Sequence, residues 1–322
     1  MKLWALVGMF LVSTGALGAG SWQTGKFESG AGSRDYKLWL PDGYDKTKPL
    51  PLVVALHGCQ QTAEAFSTQT GLNDLADARK LIVLYPLQSD SANPIGCWNW
   101  MLAVNQSRMG GEPEIIAGMT EQVLKTHAVD KSRVYVTGLS AGGAMAANMM
   151  ACYPDTYAAG AIQGGVMFRM ADDPTTGIPA MFDIAKANSP ETTGQQAWQC
   201  SGKFRGPIPV MIWHGAADSI VIPAHADHIL RQFARMNDLA DDGEENNSIH
   251  LKNPETQVIK TEKRRDYTQS MFRGFGQELL VKNMVEGMDH AWSGGNVQIP
   301  YSDPSGPDST RILIDWLLTK KR

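Results

Sequence analysis

Seven short apolar runs punctuate the chain, at 36–40 (YKLWL), 50–57 (LPLVVALH), 81–86 (LIVLYP), 133–138 (RVYVTG), 158–165 (AAGAIQGG), 208–215 (IPVMIWHG) and 278–285 (ELLVKNMV). Most are rich in β-branched or aromatic residues and too short for helices, the pattern of strands buried on both faces. Between most of them apolar residues return at helical spacing. Ile115, Ile116, Met119, Val123 and Leu124 do so before the run at 133, and Ile229, Leu230, Phe233 and Met236 do so after Pro223. This alternation predicts an α/β fold, a mostly parallel sheet with helices on both faces. A final helix is expected from a Ser309 cap, burying Ile312, Leu313, Trp316 and Leu317 and ending on cations that suit its negative pole.

Two segments break the rhythm. Residues 166–207 separate two strands by far more than a usual connection and carry Met167, Phe168, Met170, Met181, Phe182 and Trp198. They read as a lid insertion over a site or as helices packed on the surface. Residues 237–256 are polar and acidic and read as an exposed loop.

One joint between elements carries chemistry. The run at 133 passes directly into an alanine- and methionine-rich helical stretch, with Ser140 between Gly138-Leu139 and Ala141-Gly142. A serine on so sharp a strand-to-helix turn needs neighbours without bulk, and the G-x-S-x-G pattern in this context is that of a nucleophile elbow. A serine hydroxyl needs a base to take its proton and an acid to orient that base. On such a sheet both follow the nucleophile in chain order, acid first. Asp218 lies in the loop just beyond the apolar run at 208, at the carboxyl edge of the strands. Asp227, Asp238, Asp241 and Asp242 sit in helical or acidic contexts that fit less well. His290 follows the last run of the series among glycines. His57 and His214 precede glycines at strand ends and read as loop braces, whereas His127, His225, His228 and His250 lie in helical or acidic surface contexts. His225 and His228 at i, i+3 read as a solvated helix face rather than a metal site, and no metal or organic cofactor is expected. The oxyanion formed on attack calls for backbone donors, expected from the amides of Ala141 and of Cys59, in the turn after the run at 50. Trp98 and Trp292 are candidate apolar walls for substrate, with plain core packing as the alternative for Trp98 and its neighbour Trp100.

Composition narrows the setting. The 322 residues carry a formal net charge of −4 and no basic face for nucleic acid. Lys2, an apolar run from Leu3 to Val12 and small residues through Gly20 have the layout of a secretory signal peptide over 1–20, ahead of one catalytic domain at 21–322. That run is too short to span a bilayer, and no later stretch reaches the required ~20 apolar residues. In an exported protein the four cysteines predict two disulfides; of the three connectivities, Cys59–Cys97 with Cys152–Cys200 is favoured.

Together, HGCQQTAEAF, CWNW, GLSAGGAMAANM followed by CYPD, WHGAADSIVIP and GMDHAWSGG resemble the secreted poly(3-hydroxybutyrate) depolymerase family of α/β hydrolases, kin of feruloyl and acetylxylan esterases. The likeness runs from about Tyr36 to the C-terminus. It implies Ser140 as nucleophile, His290 as base, Asp218 as its orienting acid, the Cys59 and Ala141 amides as oxyanion hole, and the same cysteine pairing. It implies a secreted esterase, extracellular or periplasmic, acting on 3-hydroxybutyrate polyester or its oligomers. Family members that degrade solid polymer typically add a linker and a substrate-binding domain, and neither follows Arg322, so amorphous or soluble substrate is favoured. A feruloyl or acetylxylan esterase acting on plant cell-wall polysaccharide is the alternative within enzymes. A catalytically inactive hydrolase fold that binds a ligand is the alternative outside them.

Overall fold

A computed structural model describes residues 19–322, so the expected signal peptide lies outside the described residues except for its last two. Ten strands form one sheet: β1 (Ser21–Ser29), β2 (Gly32–Leu40), β3 (Leu50–Leu56), β4 (Ile82–Pro86), β5 (Val129–Leu139), β6 (Ala159–Gln163), β7 (Val210–Gly215), β8 (Glu255–Ile259), β9 (Tyr267–Gly274) and β10 (Gln277–Val285). Their order is β1-β2-β4-β3-β5-β6-β7-β10-β9-β8. The six strands from β4 to β10 run parallel, and an antiparallel hairpin closes each edge.

Alternation within the apolar runs divides the core into two layers. In β3, Leu52, Val54 and Leu56 face one layer, with α3 (Gly111–Thr126), α4 (Ala141–Cys152) and α7 (Ala224–Asp241). Val53 and Ala55 face the other, with α1 (Ala63–Thr70), α2 (Leu72–Arg79) and α8 (Ser309–Leu317). A strand apolar at every position thus feeds both faces, which is why it reads as a continuous run.

The structure corrects several boundaries. β5 begins at Val129, and the edge strands β1 and β8, with β9 beside β8, carry no apolar run that would mark them. Residues 237–241 are the last turn of α7 and residues 255–256 open β8, so the exposed loop is shorter than expected. The cap of α8 is Asp308, whose carboxylate accepts from Arg311 N at 3.0 Å. Ser309 is instead buried and donates to Gln163 Oε1 and Ser293 O. Residues 166–207 hold α5 (Pro174–Phe182) and α6 (Pro190–Cys200). Met167, Phe168 and Met170 are core residues, α6 packs on α7, and α5 overlies the end of the sheet that carries Ser140. Among the described residues, no helix is long and apolar enough to cross a membrane.

Candidate active site

Ser140 caps α4 with φ 56° and ψ −120°, a conformation that L residues adopt only when the surroundings impose it. Its amide donates to Gln163 O at 2.9 Å, which pins the turn to β6. Gly142 explains the need for glycine. A Cβ there would lie 2.1 Å from Leu56 O and 2.5 Å from His57 O, so any side chain would push α4 off the end of β3.

The acid and base come from the ends of β7 and β10. His290 Nδ1 lies 2.8 Å from Asp218 Oδ2, while Asp218 Oδ1 accepts from Ile220 N at 3.0 Å and Val221 N at 2.8 Å. Burial pushes the Asp218 carboxyl upward, but the hydrogen bonds from His214 and His290 outweigh it and hold the group well below the usual carboxylate range. Asp218 is therefore ionised and fixes the proton of neutral His290 on Nδ1, leaving Nε2 free to act as a base. Ser140 and His290 line one cavity of about 160 Å³, with Gln60, Gln61, Ile220 and Tyr301. Ser140 Oγ is not hydrogen-bonded to His290 in this arrangement; such contacts commonly tighten around bound substrate.

The two expected oxyanion donors flank the serine. Ala141 N is the first amide of α4, where backbone N–H groups point outward and the helix dipole is positive. Beside Cys59 the amides are occupied: Gly58 N donates to Gln61 Oε1 at 2.8 Å and Gln60 N to Ile95 O at 3.0 Å. Cys59 N and Ala141 N have no partner among the described residues, so both remain available. Disulfides join Cys59 to Cys97 and Cys152 to Cys200. The first ties the turn after β3 to the Trp98–Trp100 segment. That segment is held from below by buried Glu112, whose carboxylate accepts from the backbone and side chain of Asn99, from Gln88 and from Arg34.

Beyond the turn lies a larger, mostly apolar cavity of about 270 Å³. Trp98, Trp100, Met101, Ala144, Val166, Ile178 and Met181 line it, and Ser140 and Ala141 stand at its rim. Trp98 thus lines this cavity while also packing on His57 at 5.4 Å between ring centroids. Trp292, expected beside it, is not. It opens the short strand β11 (Trp292–Ser293), which pairs with β12 (Ser302–Asp303). Its ring lies in the opposite core layer, edge-on to Phe66, with Nε1 bonded to Thr310 Oγ1 at 2.8 Å. His290 and Ala291 form a bend ahead of β11, and the pairing of Trp292 with Ser302 of β12 seats its ring against Phe66 and Thr310 rather than beside the His290 ring.

The remaining histidines split. His57 and His214 brace loops, through Gly58 O and Val221 O respectively. His225 is buried rather than on a solvated face: its Nε2 donates to Ala180 O of α5 at 2.9 Å, and burial lowers its pKa to about 4. Among the described residues, no three metal-ligating side chains are placed to share an ion.

Three contributors escaped the sequence reading. Asp289 Oδ1 accepts from Ser219 N, Ser219 Oγ and His290 N, binding the acid loop to the base loop. A carboxylate adjacent to the candidate base was the available signal. Gln163 spans from Ala291 O to Ser309 Oγ beneath the same loop. Gly164, at φ 54°, lies under the His290 ring, where a Cβ would come within 3.2 Å of Cε1.

Comparison with known proteins places this geometry. A poly(3-hydroxyalkanoate) depolymerase C of Paucimonas lemoignei is 35% identical over 212 residues, covering 66% of this chain and 50% of that protein. The chain thus matches about half the length of that relative. Feruloyl esterase B of Thermothelomyces thermophilus is 29% identical over 243 residues, 73% of this chain and 81% of its own. Among solved structures, an acetyl xylan esterase from Aspergillus awamori superposes with a TM-score of 0.69 at 21% identity, covering 84% of this chain and 94% of its own, and so shares the α/β-hydrolase fold. The family model described as esterase PHB depolymerase matches residues 34–250, and the chain belongs to that family.

Proposed function

We propose that the protein is a serine esterase in which Ser140 attacks an ester carbonyl while His290 takes its proton and Asp218 stabilises the resulting imidazolium. The amides of Cys59 and Ala141 receive the oxyanion. Collapse of the tetrahedral intermediate expels the alcohol, protonated by His290, and leaves an acyl group on Ser140. A water deprotonated by His290 then releases the acid. No metal or organic cofactor enters this sequence of steps. The observation that carries the reading is the 2.8 Å pairing of His290 with a buried, ionised Asp218, facing the same cavity as a serine held on a strained turn.

The two cavities suit the two halves of an ester. The alcohol must leave beside His290, in the smaller cavity, so the acyl part falls to the larger apolar one. The favoured substrate is a 3-hydroxybutyrate polyester or its oligomers, supported by the depolymerase relative and the apolar lining. Feruloyl or acetylated polysaccharide is the second reading, supported by the feruloyl esterase relative and the acetyl xylan esterase fold. Two disulfides and the leader pattern at 1–20 support export.

Ser140→Ala should abolish ester hydrolysis and fluorophosphonate labelling without changing the melting temperature; undiminished turnover refutes the assignment. A parent protein that cannot be labelled would favour a binding module. Identifying the acid released from polyester, oligomer and feruloylated or acetylated xylan decides between the substrate readings.

A further inference from the structure

We propose that His214 is a positioning residue for the acid–base pair, its imidazole a second donor on the carboxylate oxygen of Asp218 that holds His290. The inference rests on the esterase reading above. His214 is the penultimate residue of β7 and fully buried. Its Nε2 lies 2.7 Å from Val221 O and 3.3 Å from Asp218 Oδ2. A carbonyl oxygen can only accept, so Nε2 carries the ring proton, directed at Val221 O, with Asp218 Oδ2 the longer second acceptor at 3.3 Å. Nδ1 is buried without a partner, and a proton there would be stranded. The ring therefore presents a dipole to Asp218, not a full charge.

The consequence is a carboxylate held on all sides. Oδ2 takes a hydrogen bond from His290 and the longer 3.3 Å contact of His214, and Oδ1 takes the amides of Ile220 and Val221. Turning the carboxylate about its Cβ–Cγ bond would strain every one of these bonds, so the line from Oδ2 to His290 is fixed. His214 has a second effect, on charge. By withdrawing part of the negative charge of Oδ2, it limits how strongly that oxygen favours imidazolium over imidazole at position 290. Removing this donor leaves the pair misaligned and the imidazolium over-stabilised, so less of the enzyme holds a free base at mildly acidic pH.

The other titratable groups around the cluster come from separate elements. Asp289 lies on the base loop with its Oδ1 bonded to Ser219 and His290 N, Tyr301 sits 6.1 Å from the His290 ring, and His225 lies on α7 beyond His214. Of these, only His225 interacts with His214 through charge, a minor contribution beside burial to its lowered pKa.

The test compares His214→Leu with His214→Gln, whose amide N–H can occupy the place of imidazole Nε2. kcat, KM and the pH profile of kcat/KM would be measured on a soluble aryl ester, with Ser140→Ala alongside. His214→Leu should lose about 10- to 100-fold in kcat, the worth of one hydrogen bond to a charged group, with KM within about twofold. The midpoint of its acid limb should rise by roughly half to one pH unit. His214→Gln should recover most of kcat and restore the acid limb. If His214→Leu does not fold, His214→Asn replaces it, because its shorter amide cannot reach Oδ2. Parent-like kcat and acid limb in the donor-less variant overturn the proposal, as does equal impairment of the Leu (or Asn) and Gln variants with an unmoved acid limb. Full turnover in Ser140→Ala would instead overturn the esterase reading beneath it.

Discussion

Replacing Gly142 by alanine separates the cost of distorting the nucleophile turn from the cost of destabilising the fold. The new methyl carbon would start 2.1 Å from Leu56 O and 2.5 Å from His57 O. Ordinary carbon contacts begin near ~3.5 Å, so about 1.4 Å must be found. Both oxygens belong to backbone at the carboxyl end of a central strand and cannot yield, so the first turn of α4 retreats, carrying Ala141 N and Ser140. Overpacking of this kind costs about 1–3 kcal/mol, and the better helix propensity of alanine returns roughly 1 kcal/mol. The net loss is ~0–2 kcal/mol, a fall of a few degrees in melting temperature. Catalysis should suffer more, because a ~1 Å misplacement of reacting groups costs on the order of 100-fold. The check is kcat/KM on an aryl ester together with thermal melting. Gly30→Ala serves as control, since a Cβ there meets nothing within 4 Å. Parent-like kcat/KM in Gly142→Ala would refute the claim that close approach of α4 to β3 sets the serine.

Acid should destabilise the protein in two stages. His225 is held neutral with its pKa lowered to about 4 from 6.5, so the unfolded chain binds its proton first. The contribution of His225 is intact above pH 6.5 and falls by ~3 kcal/mol as pH drops to about 4. Asp218, held below the ordinary value of 3.8, adds a further loss only below that pH. Urea titrations at stepped pH should show the upper stage shrink in His225→Gln, the remainder coming from His57, His127 and His228, whose pKa values burial also lowers; an unchanged slope there would refute it. The disulfides should divide by role. By loop entropy each contributes about 4 kcal/mol, for separations of 38 and 48 residues. Cys152→Ala with Cys200→Ala should lower melting temperature alone. Cys59→Ala with Cys97→Ala should lower turnover as well, measured well below melting, by freeing the turn that offers the Cys59 amide; equal turnover in both double variants would refute that link.

What could be read in the sequence follows from what local pattern encodes. The parallel strands announce themselves because burial on both faces leaves no polar position in β3 or β4. The edge hairpins do not: β8 is exposed at four of its five positions, and β1 is at most half-buried throughout. Their strand character comes from pairing with a neighbour. Ser140 was legible because glycines at 138 and 142 mark a steric demand within a few residues. Asp218 and His290 were legible because chain order and strand ends limit the choice. Asp289, His214 and Glu112 act through partners that only the folded chain supplies, such as Ser219, 70 residues from Asp289. Trp292 misled because the bend at His290–Ala291 and the pairing of β11 with β12, neither marked in the local pattern, carry its ring into the other core layer.

Asp289 gives the site a mechanical property. Because one carboxylate oxygen holds Ser219 and the amide of His290 together, the loops bearing acid and base form a single yoked body. Thermal drift then displaces both partners in common, preserving their mutual spacing while their distance from the serine, anchored separately on β5 and α4, varies. On warming, the first failure of the machinery should be estrangement of the hydroxyl from an intact imidazole–carboxylate couple.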